Sequence, residues 1–238
     1  MNRRIAITGA AGFIGRALAE RIDRETGFES VRIVRCDFEQ GRLFERLAGC
    51  EAVVHLAGLS RGDDPEALYQ VNMELTESVA EAVMRTASIR RMVFCSTTHE
   101  AKESAYHASK RDGRAYFDVV AAKKGIESIG VLMPNVFGPG GRPFYNSVVA
   151  TFCKLRSENK PLTVHPGAGS VKLIYIDSLV EKLLTAATAS GVVNPLILSE
   201  EYEVEVAEIA RLLESFDLNG CPQERFARDL WKSINLIP

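Results

Sequence analysis

The stretch that most constrains this chain is Thr8-Gly9-Ala10-Ala11-Gly12-Phe13-Ile14-Gly15, which follows the apolar run Arg4-Ile5-Ala6-Ile7 and precedes a helical pattern from Arg16 to Asp23. Strand, glycine turn and helix follow one another directly. Gly9 permits the tight turn, Gly12 lets a ligand approach bare backbone, and Gly15 lets helix and strand pack closely. The helix N-terminus then offers unpaired N–H groups and the positive end of a dipole to a pyrophosphate. A glycine-rich turn that binds nothing has the same three glycines. The strand before and the helix after favour a dinucleotide-binding turn.

The rest of the chain repeats this alternation. Ser30 to Arg35 reads as a strand, Glu39 to Leu47 as a short helix, and Ala52 to Ala57 as a continuous apolar strand ending at Gly58. A long helical pattern from Pro65 to Ala87 places Leu68, Val71, Leu75, Val79 and Val83 on one face. A strand at Arg91–Ser96, a helix at Tyr106–Lys124 and a strand at Ser128–Met133, stopped by Pro134, complete the series. Apolar strands alternating with helices predict an α/β fold with a Rossmann-type, doubly wound parallel sheet. From Pro134 onward, Pro and Gly punctuate the chain around one apolar helix, Ser147–Arg156. The expected division is a dinucleotide-binding core over 1–135 and a substrate-binding lobe over 136–238, interleaved with it. Within the lobe, Leu173–Ile176 reads as a strand, Asp177 as the N-cap of a helix over Leu179–Thr188, and Val206–Glu214 as a helix. The amphipathic tail from Glu224 to Pro238 is expected to dock on the body.

Composition narrows the function classes. With 238 residues, 46% of them hydrophobic and 25% charged, the chain can bury a sizeable core. A net charge of −2 gives no reason to expect nucleic acid as a partner. No apolar run reaches the ~20 residues of a membrane span, and the first strand begins by residue 4, so a cytoplasmic location without a leader is expected. The five cysteines include no C-x-x-C pair; Cys36, Cys95 and Cys153 are expected to be buried or nearly buried thiols in a reducing compartment. His55, His99, His107 and His165 lack the spacing of metal ligands, so no metal is expected.

Candidate chemistry gathers near residue 100. Tyr106 and Lys110 are four apart, one helical turn on the same face. An ammonium group beside a phenol favours the phenolate and brings its pKa towards the working range, so that Tyr106 acts as acid to a carbonyl oxygen or base to an alcohol. A chance pair on a solvated helix has the same spacing. The preceding strand ends Phe94-Cys95-Ser96-Thr97-Thr98, which puts hydroxyls at the carboxyl end of a sheet strand, where ligands sit in open α/β sheets. Thr97 is the candidate to orient the reacting oxygen, with Ser96 as substitute; turn or cap chemistry is the plainer role for either.

Taken in order, the glycine turn, His55-Leu56-Ala57-Gly58, Asn72, the Ser/Thr cluster, Tyr106-His107-Ala108-Ser109-Lys110 and Pro134-Asn135-Val136-Phe137-Gly138 resemble the extended short-chain dehydrogenase/reductase superfamily of nucleotide-sugar epimerases, dehydratases and reductases. A narrower resemblance rests on Pro143-Phe144-Tyr145-Asn146-Ser147-Val148-Val149-Ala150-Thr151-Phe152-Cys153, on the short gap from Thr97 to Tyr106, and on the tail with Leu230-Trp231 and Leu236-Ile237-Pro238. It is to the 4-keto-sugar reductases of capsule and O-antigen synthesis. Those proteins usually continue into a cupin domain that this sequence does not include, and any activity of that domain is expected to be absent or supplied by another protein. The resemblance implies catalytic roles for Thr97, Tyr106 and Lys110. It implies cofactor contacts from Gly9, Gly12, Phe13, Ile14, Gly15, Arg35, Leu56, Ala57, Gly58, Asn72, Tyr106, Lys110, Pro134 and Asn135. Substrate contacts are expected from Thr97, Thr98, Asn135, Arg142, Tyr145 and Asn146. It also implies a homodimer through the two long helices.

Several positions depart from the family. Leu132 stands where an Arg often precedes the Pro-Asn pair, His107 replaces a usual Gly, and Thr98-His99 replace the Asp-Glu of 4,6-dehydratases, which counts against dehydration even with Glu100 one position away. Arg35, at the expected end of the second strand, matches a ribose 2′-phosphate and favours NADP, whereas Asp37 as a ribose ligand is the NAD reading. The function expected is NADPH-dependent reduction of a nucleotide-linked 4-keto-6-deoxysugar in surface-polysaccharide biosynthesis. The alternatives are a 4-epimerase with tightly bound NAD, and a dinucleotide sensor without catalysis.

Overall fold

The computed structural model describes residues 2–217 and 220–235, so the last residues of the tail, 236–238, lie outside the described part. The first elements are β1 (Arg3–Thr8), α1 (Phe13–Asp23), β2 (Phe28–Ile33), α2 (Arg35–Glu39), α3 (Leu43–Leu47), β3 (Cys50–His55), α4 (Pro65–Arg85), β4 (Arg91–Thr97), α5 (Ala105–Lys124) and β5 (Glu127–Met133). They are followed by β6 (Asn135–Phe137), α6 (Val148–Ser157), β7 (Ser170–Tyr175), α7 (Ile176–Thr188), β8 (Leu196–Ile197), β9 (Tyr202–Glu205), α8 (Val206–Ser215) and α9 (Arg225–Asn235).

The chain forms two compact units: Met1–Met133 with Val180–Leu198, and Pro134–Leu179 with Ser199–Pro238. In the first unit six strands lie in the order β2-β1-β3-β4-β5-β8, every pair parallel. This is the doubly wound, Rossmann-type sheet expected from the strand–helix alternation. The chain leaves β1 for β2 on one side and returns to β3 on the other, which puts the topological switch point, the usual ligand crevice, between β1 and β3. Ile5, Ile7, Val53, Val54, Met92, Val93 and Phe94 are buried in the sheet, and Val79, Val83, Phe117 and Ala121 of α4 and α5 cover it. Both long helices start at side-chain caps. Asp64 accepts from the Glu66 and Ala67 N–H groups ahead of Pro65, and Ser104 accepts from the His107 N–H. Gly125 at φ 71° ends α5.

The second unit holds a small sheet in which β7 pairs parallel with β6 and antiparallel with β9. Phe137, Tyr175, Tyr202 and Phe226 form an aromatic cluster that ties α9 to that sheet. Phe226, Leu230 and Ile234 are the buried face of this amphipathic tail helix.

The structure revises several local expectations. β2 stops at Ile33, so Arg35 opens α2 instead of closing the strand. Cys36 is consequently exposed, while Cys95 and Cys153 are buried. The helix expected over 39–47 is two short helices, α2 and α3, interrupted at Gly41 with φ 65°. Asp177 lies in the first turn of α7 and does not cap it, because β7 runs straight into the helix at Ile176. The short strands β6 and β9 carry no apolar alternation long enough to be read from sequence. Residues 180–198 group with the first unit, where β8 pairs parallel with β5.

Candidate active site

The glycine turn is fixed by sterics. Gly9 has φ +68°, and a Cβ there would stand 2.8 Å from the Ala57 backbone nitrogen. A Cβ on Gly15 would land on the Gly9 carbonyl oxygen. Gly12 is the N-cap of α1 and contributes no capping side chain. The first N–H groups of α1 have no partner within the helix, and Gly12 is exposed. A backbone cradle of this kind fits a dinucleotide pyrophosphate.

Thr8 and His55 brace the cradle from below. The Leu56 and Ala57 N–H groups donate to Thr8 Oγ at 3.1 and 3.2 Å, so the one hydroxyl proton of Thr8 points to His55 Nδ1, 2.9 Å away. His55 Nε2 therefore carries the ring proton and faces Thr76 Oγ at 3.5 Å, whose own hydroxyl donates to the Asn72 carbonyl. Burial, reinforced by the Lys110 charge, pushes the His55 pKa down to about 3, and the imidazole stays neutral. Sequence reasoning noted His55 only as part of a strand end and did not single out Thr8. The available signal was a hydroxyl and an imidazole at the ends of two otherwise apolar strands.

Asn72 is engaged on both sides of its amide. Its Oδ1 accepts from the Leu59 N–H at 2.7 Å, and its Nδ2 donates to the Leu59 carbonyl and to Ser109 Oγ, each at 2.9 Å. Ser109 Oγ in turn donates to the Tyr106 carbonyl at 2.8 Å. This network joins the turn after β3 to the first turns of α5. The side chain of Asn72 thus acts on the Gly58–Leu59 backbone, and Ser109, absent from the candidates above, links it to the Tyr106 turn.

Lys110 is buried on α5, one turn from Tyr106. Its Nζ donates to the Cys95 carbonyl at 3.2 Å and lies 5.4 Å from the Phe94 ring centroid. A Cβ on Gly58 would be 3.5 Å from that nitrogen and 3.1 Å from Asn72 Oδ1, so Lys110, Asn72 and Gly58 meet at the end of β3. Burial holds the Lys110 pKa below the ordinary lysine value. The half-buried Tyr106 ring meets His107 edge-on at 5.2 Å.

Among the hydroxyls at the end of β4, Ser96 is buried and donates to Glu100 at 2.5 Å. That bond commits the Ser96 hydroxyl proton to Glu100. Glu100 also takes a two-pronged pair from Arg114 at 2.9 and 2.8 Å. Burial opposes its ionisation, but Arg114 and Ser96 hold its carboxyl below the usual value. Glu100 thus ties Ser96 of β4 to Arg114 of α5. Thr97 is partly exposed, and its Oγ accepts from the His99 N–H at 3.2 Å. Thr98 is exposed and donates to the Met133 carbonyl at 3.4 Å.

At the start of α2, the Arg35 side chain is 92% exposed and pairs with Glu39, not with Asp37. Asp37 is buried: it accepts from the Val34 N–H at 2.9 Å and pairs with Arg42 at 3.0 Å. These bonds occupy the carboxylate that the NAD reading assigns to a ribose. The remaining candidates belong to the second unit. Pro134 is buried; Asn135 donates to the Lys172 carbonyl at 3.2 Å; Arg142 and Asn146 are exposed; and the Arg142 guanidinium lies 4.3 Å from the Tyr145 ring centroid.

Known proteins place this architecture. The profile of the NAD dependent epimerase/dehydratase family matches residues 5–197. A UDP-2-acetamido-2,6-beta-L-arabino-hexul-4-ose reductase of Pseudomonas aeruginosa is 31% identical over 216 residues, which cover 90% of this chain and 57% of that protein. The capsular polysaccharide assembling protein CapF of Staphylococcus aureus superposes with a TM-score of 0.85 at 26% identity, over 100% of this chain and 66% of its own. The UDP-glucuronic acid 4-epimerase of Bacillus cereus, in complex with NAD, shares the fold at a TM-score of 0.85 and 19% identity, over 98% of this chain and 96% of its own. The chain thus spans 57% of the length of the Pseudomonas relative and 66% of CapF. With the glycine cradle, the Lys110–Asn72 junction and the profile match in agreement, this chain belongs to the NAD dependent epimerase/dehydratase family, a group of NAD(P)-dependent proteins.

Proposed function

We propose that this protein is an NADPH-dependent reductase of a nucleotide-activated 4-keto-6-deoxysugar, working in surface-polysaccharide synthesis. The observation that carries the reading is the buried Lys110 ammonium, held beside Gly58 and Asn72 one helical turn from Tyr106. A buried lysine with an acid one turn away suits an oxidoreductase and has no use in a passive binder. The likeness to the Pseudomonas reductase points to a 4-keto sugar.

A nicotinamide dinucleotide held in this cradle would supply the hydride. Tyr106 donates its phenolic proton to the ketone oxygen as the carbon is reduced, and the Lys110 charge stabilises the phenolate left behind. Thr97 orients the ketone oxygen through its hydroxyl, leaving its turn bond to His99 in place. Asn72, through Leu59 and Ser109, is a positioning residue for the cofactor cradle and the Tyr106 turn. Gly9, Gly12, Phe13, Ile14, Gly15, Leu56, Ala57 and Gly58 provide backbone to the dinucleotide. Arg35, the exposed cation after β2, selects NADPH by pairing with the 2′-phosphate in place of Glu39. Roles for Pro134 and Asn135 towards the cofactor, and for Thr98, Asn135, Arg142, Tyr145 and Asn146 towards sugar and diphosphate, rest on the family resemblance, as does a homodimer through α4 and α5.

The test is a screen of UDP- and dTDP-linked 4-keto-6-deoxysugars, read by NADPH oxidation. Net, stoichiometric oxidation is expected; interconversion of 4-epimers without net oxidation would replace the reductase by an epimerase. Tyr106→Phe is expected to lower turnover by about 10³-fold with NADPH affinity unchanged.

A further inference from the structure

Reduction takes one proton from Tyr106 at every turnover, and that proton has to come back from solvent. Lys110 is badly placed to fetch it: the side chain is buried, and its Nζ donates to the Cys95 carbonyl. The residue beside Tyr106 is better placed. His107, which stands where the family pattern has Gly, is partly exposed, and its ring meets the Tyr106 ring edge-on at 5.2 Å. Its Nδ1 lies 2.6 Å from the Oγ of Ser104, the exposed N-cap of α5. The Ser104 oxygen accepts from the His107 backbone N–H at 3.4 Å, which leaves the hydroxyl proton for Nδ1 and the ring proton on Nε2. His99 packs against the same ring, with centroids 6.4 Å apart, and its own N–H donates to Thr97 Oγ. The imidazole thus bridges exposed Ser104 and the ring of Tyr106. The titratable groups facing it are Tyr106 on α5, and His99 and Lys102 in the turn after β4. Burial first, then Lys102 and His99, hold its pKa below the ordinary imidazole value. A neutral imidazole has a donor on one nitrogen and an acceptor on the other, as a proton relay needs.

We infer that His107 is a positioning residue for the proton of the acid step: after each reduction it passes a proton from solvent, taken up through Ser104, to the Tyr106 phenolate. In this step the N–H bond at Nε2 breaks and the phenolic O–H bond forms. Nδ1 takes the Ser104 hydroxyl proton, and the serine oxygen takes its replacement from solvent. No oxidation or reduction accompanies the transfer, and one proton of the medium is consumed per ketone reduced. This rests on the proposed function and deepens it by naming what recharges the acid. The Lys110 charge stabilises the phenolate, and His107 returns it to the phenol.

Stopped-flow reduction of UDP- and dTDP-linked 4-keto-6-deoxysugars by NADPH tests this, with melting temperature and NADPH affinity as controls. In His107→Ala the first turnover is expected at the parental rate, because Tyr106 enters it carrying its proton. The steady-state kcat is expected to fall about tenfold, with NADPH affinity unchanged. Added imidazole, small enough for the vacated space, is expected to restore the steady-state rate of this variant and to leave the parent unchanged. His107→Gln keeps a polar side chain without a transferable ring proton. It is expected to show the same split between first and later turnovers, and it serves if the alanine variant folds poorly. Three results overturn the inference and leave the reductase reading intact: a steady-state kcat within about twofold of the parent, a first turnover slowed as much as later ones, or a loss in His107→Ala that imidazole does not restore. In each case the ring would only pack. A parent protein that oxidises no NADPH with any of these sugars overturns both readings.

Discussion

Polar groups at the sheet ends of the first unit and in the loop between β6 and α6 are deployed in opposite ways. Around the ends of β1, β3 and β4 they close on one another: Thr8 serves Leu56, Ala57 and His55, Asn72 serves Leu59 and Ser109, and Glu100 serves Ser96 and Arg114. In the loop between β6 and α6 of the second unit, Arg142, Phe144 and Asn146 are exposed, and one backbone position is strained. The first arrangement is set before any ligand arrives, which suits a cofactor common to a whole family. The second leaves aromatic and cationic groups available, which suits a substrate that differs between members. The second unit can build a closed hub, but does so elsewhere: Glu201 accepts from the Tyr175 N–H, Ser178 and Arg225 at 2.9, 2.8 and 2.6 Å.

If the contrast is real, substitutions in the first network should damage fold and dinucleotide binding together. Gly15→Ala is the most severe, because the added Cβ meets the Gly9 carbonyl and backbone must move. A loss of about 3 kcal/mol of stability and about 100-fold in NADPH affinity is expected from urea unfolding and fluorescence titration; a near-parental variant would mean the turn has slack. Asn72→Ala strands the Leu59 backbone groups and is expected to cost about 2–3 kcal/mol, with NADPH affinity falling in parallel. Stability loss without an affinity change would separate the network from the cradle. In the second unit, Glu201→Ala should cost about 2 kcal/mol, with faster amide exchange over 170–178 and 225–235. NADPH affinity within twofold of the parent is expected there, and a larger loss would break the comparison.

The two arrangements also differ in how far the sequence reveals them. Strands of the parallel sheet are buried on both faces and read as apolar runs, and the turn glycines are dictated by contacts a Cβ would make, so sheet, turn and the Tyr106–Lys110 spacing are legible. Arg35 was misplaced by two residues because Val34 extends the apolar run although the hydrogen-bonded ladder ends at Ile33. The partners of Asp37 are Arg42 and Arg46, in the turn before α3 and in α3, and no local pattern marks that pairing. Asn72 was recognised from the family pattern, but its partners are Leu59 and Ser109, 13 and 37 residues away, and no local periodicity encodes such distances. The strain at Phe144 is invisible in principle, since nothing in Pro-Phe-Tyr-Asn specifies a positive φ.

Arg35 gives a smaller and more selective effect. With its side chain 92% exposed and Asp37 occupied, Arg35→Ala is expected to weaken NADPH about tenfold, or ~1.4 kcal/mol, with NADH unchanged. Equal losses for the two dinucleotides would remove the NADP assignment and return the choice to NAD.

The finest probe of the closed network is its proton count. Native His55 titrates at about 3, pushed down by burial and then by Lys110, against 6.5 for the ordinary imidazole. A unit or more above pH 6.5 both folded and unfolded chains leave the ring neutral, and His55 adds no pH dependence. Between 6.5 and about 3 the unfolded chain binds a proton that the folded one refuses. Stability therefore falls with pH by up to about 1.4 kcal/mol per unit from this group alone. At pH 5.5 the loss attributable to His55, relative to the neutral plateau, is about 1.4 kcal/mol. His55→Gln keeps a carbonyl to accept from Thr8 but cannot titrate, so it lowers stability at every pH through lost contact with Phe94 and Phe117, whose centroids lie 5.4 Å from the imidazole. The diagnostic is the slope. Urea unfolding at steps from pH 7.5 to 4.5 should show a flatter acid limb in His55→Gln than in the parent. Parallel limbs would mean that the native ring takes a proton near its ordinary pH, which a Thr8 hydroxyl pointed at Nδ1 does not permit.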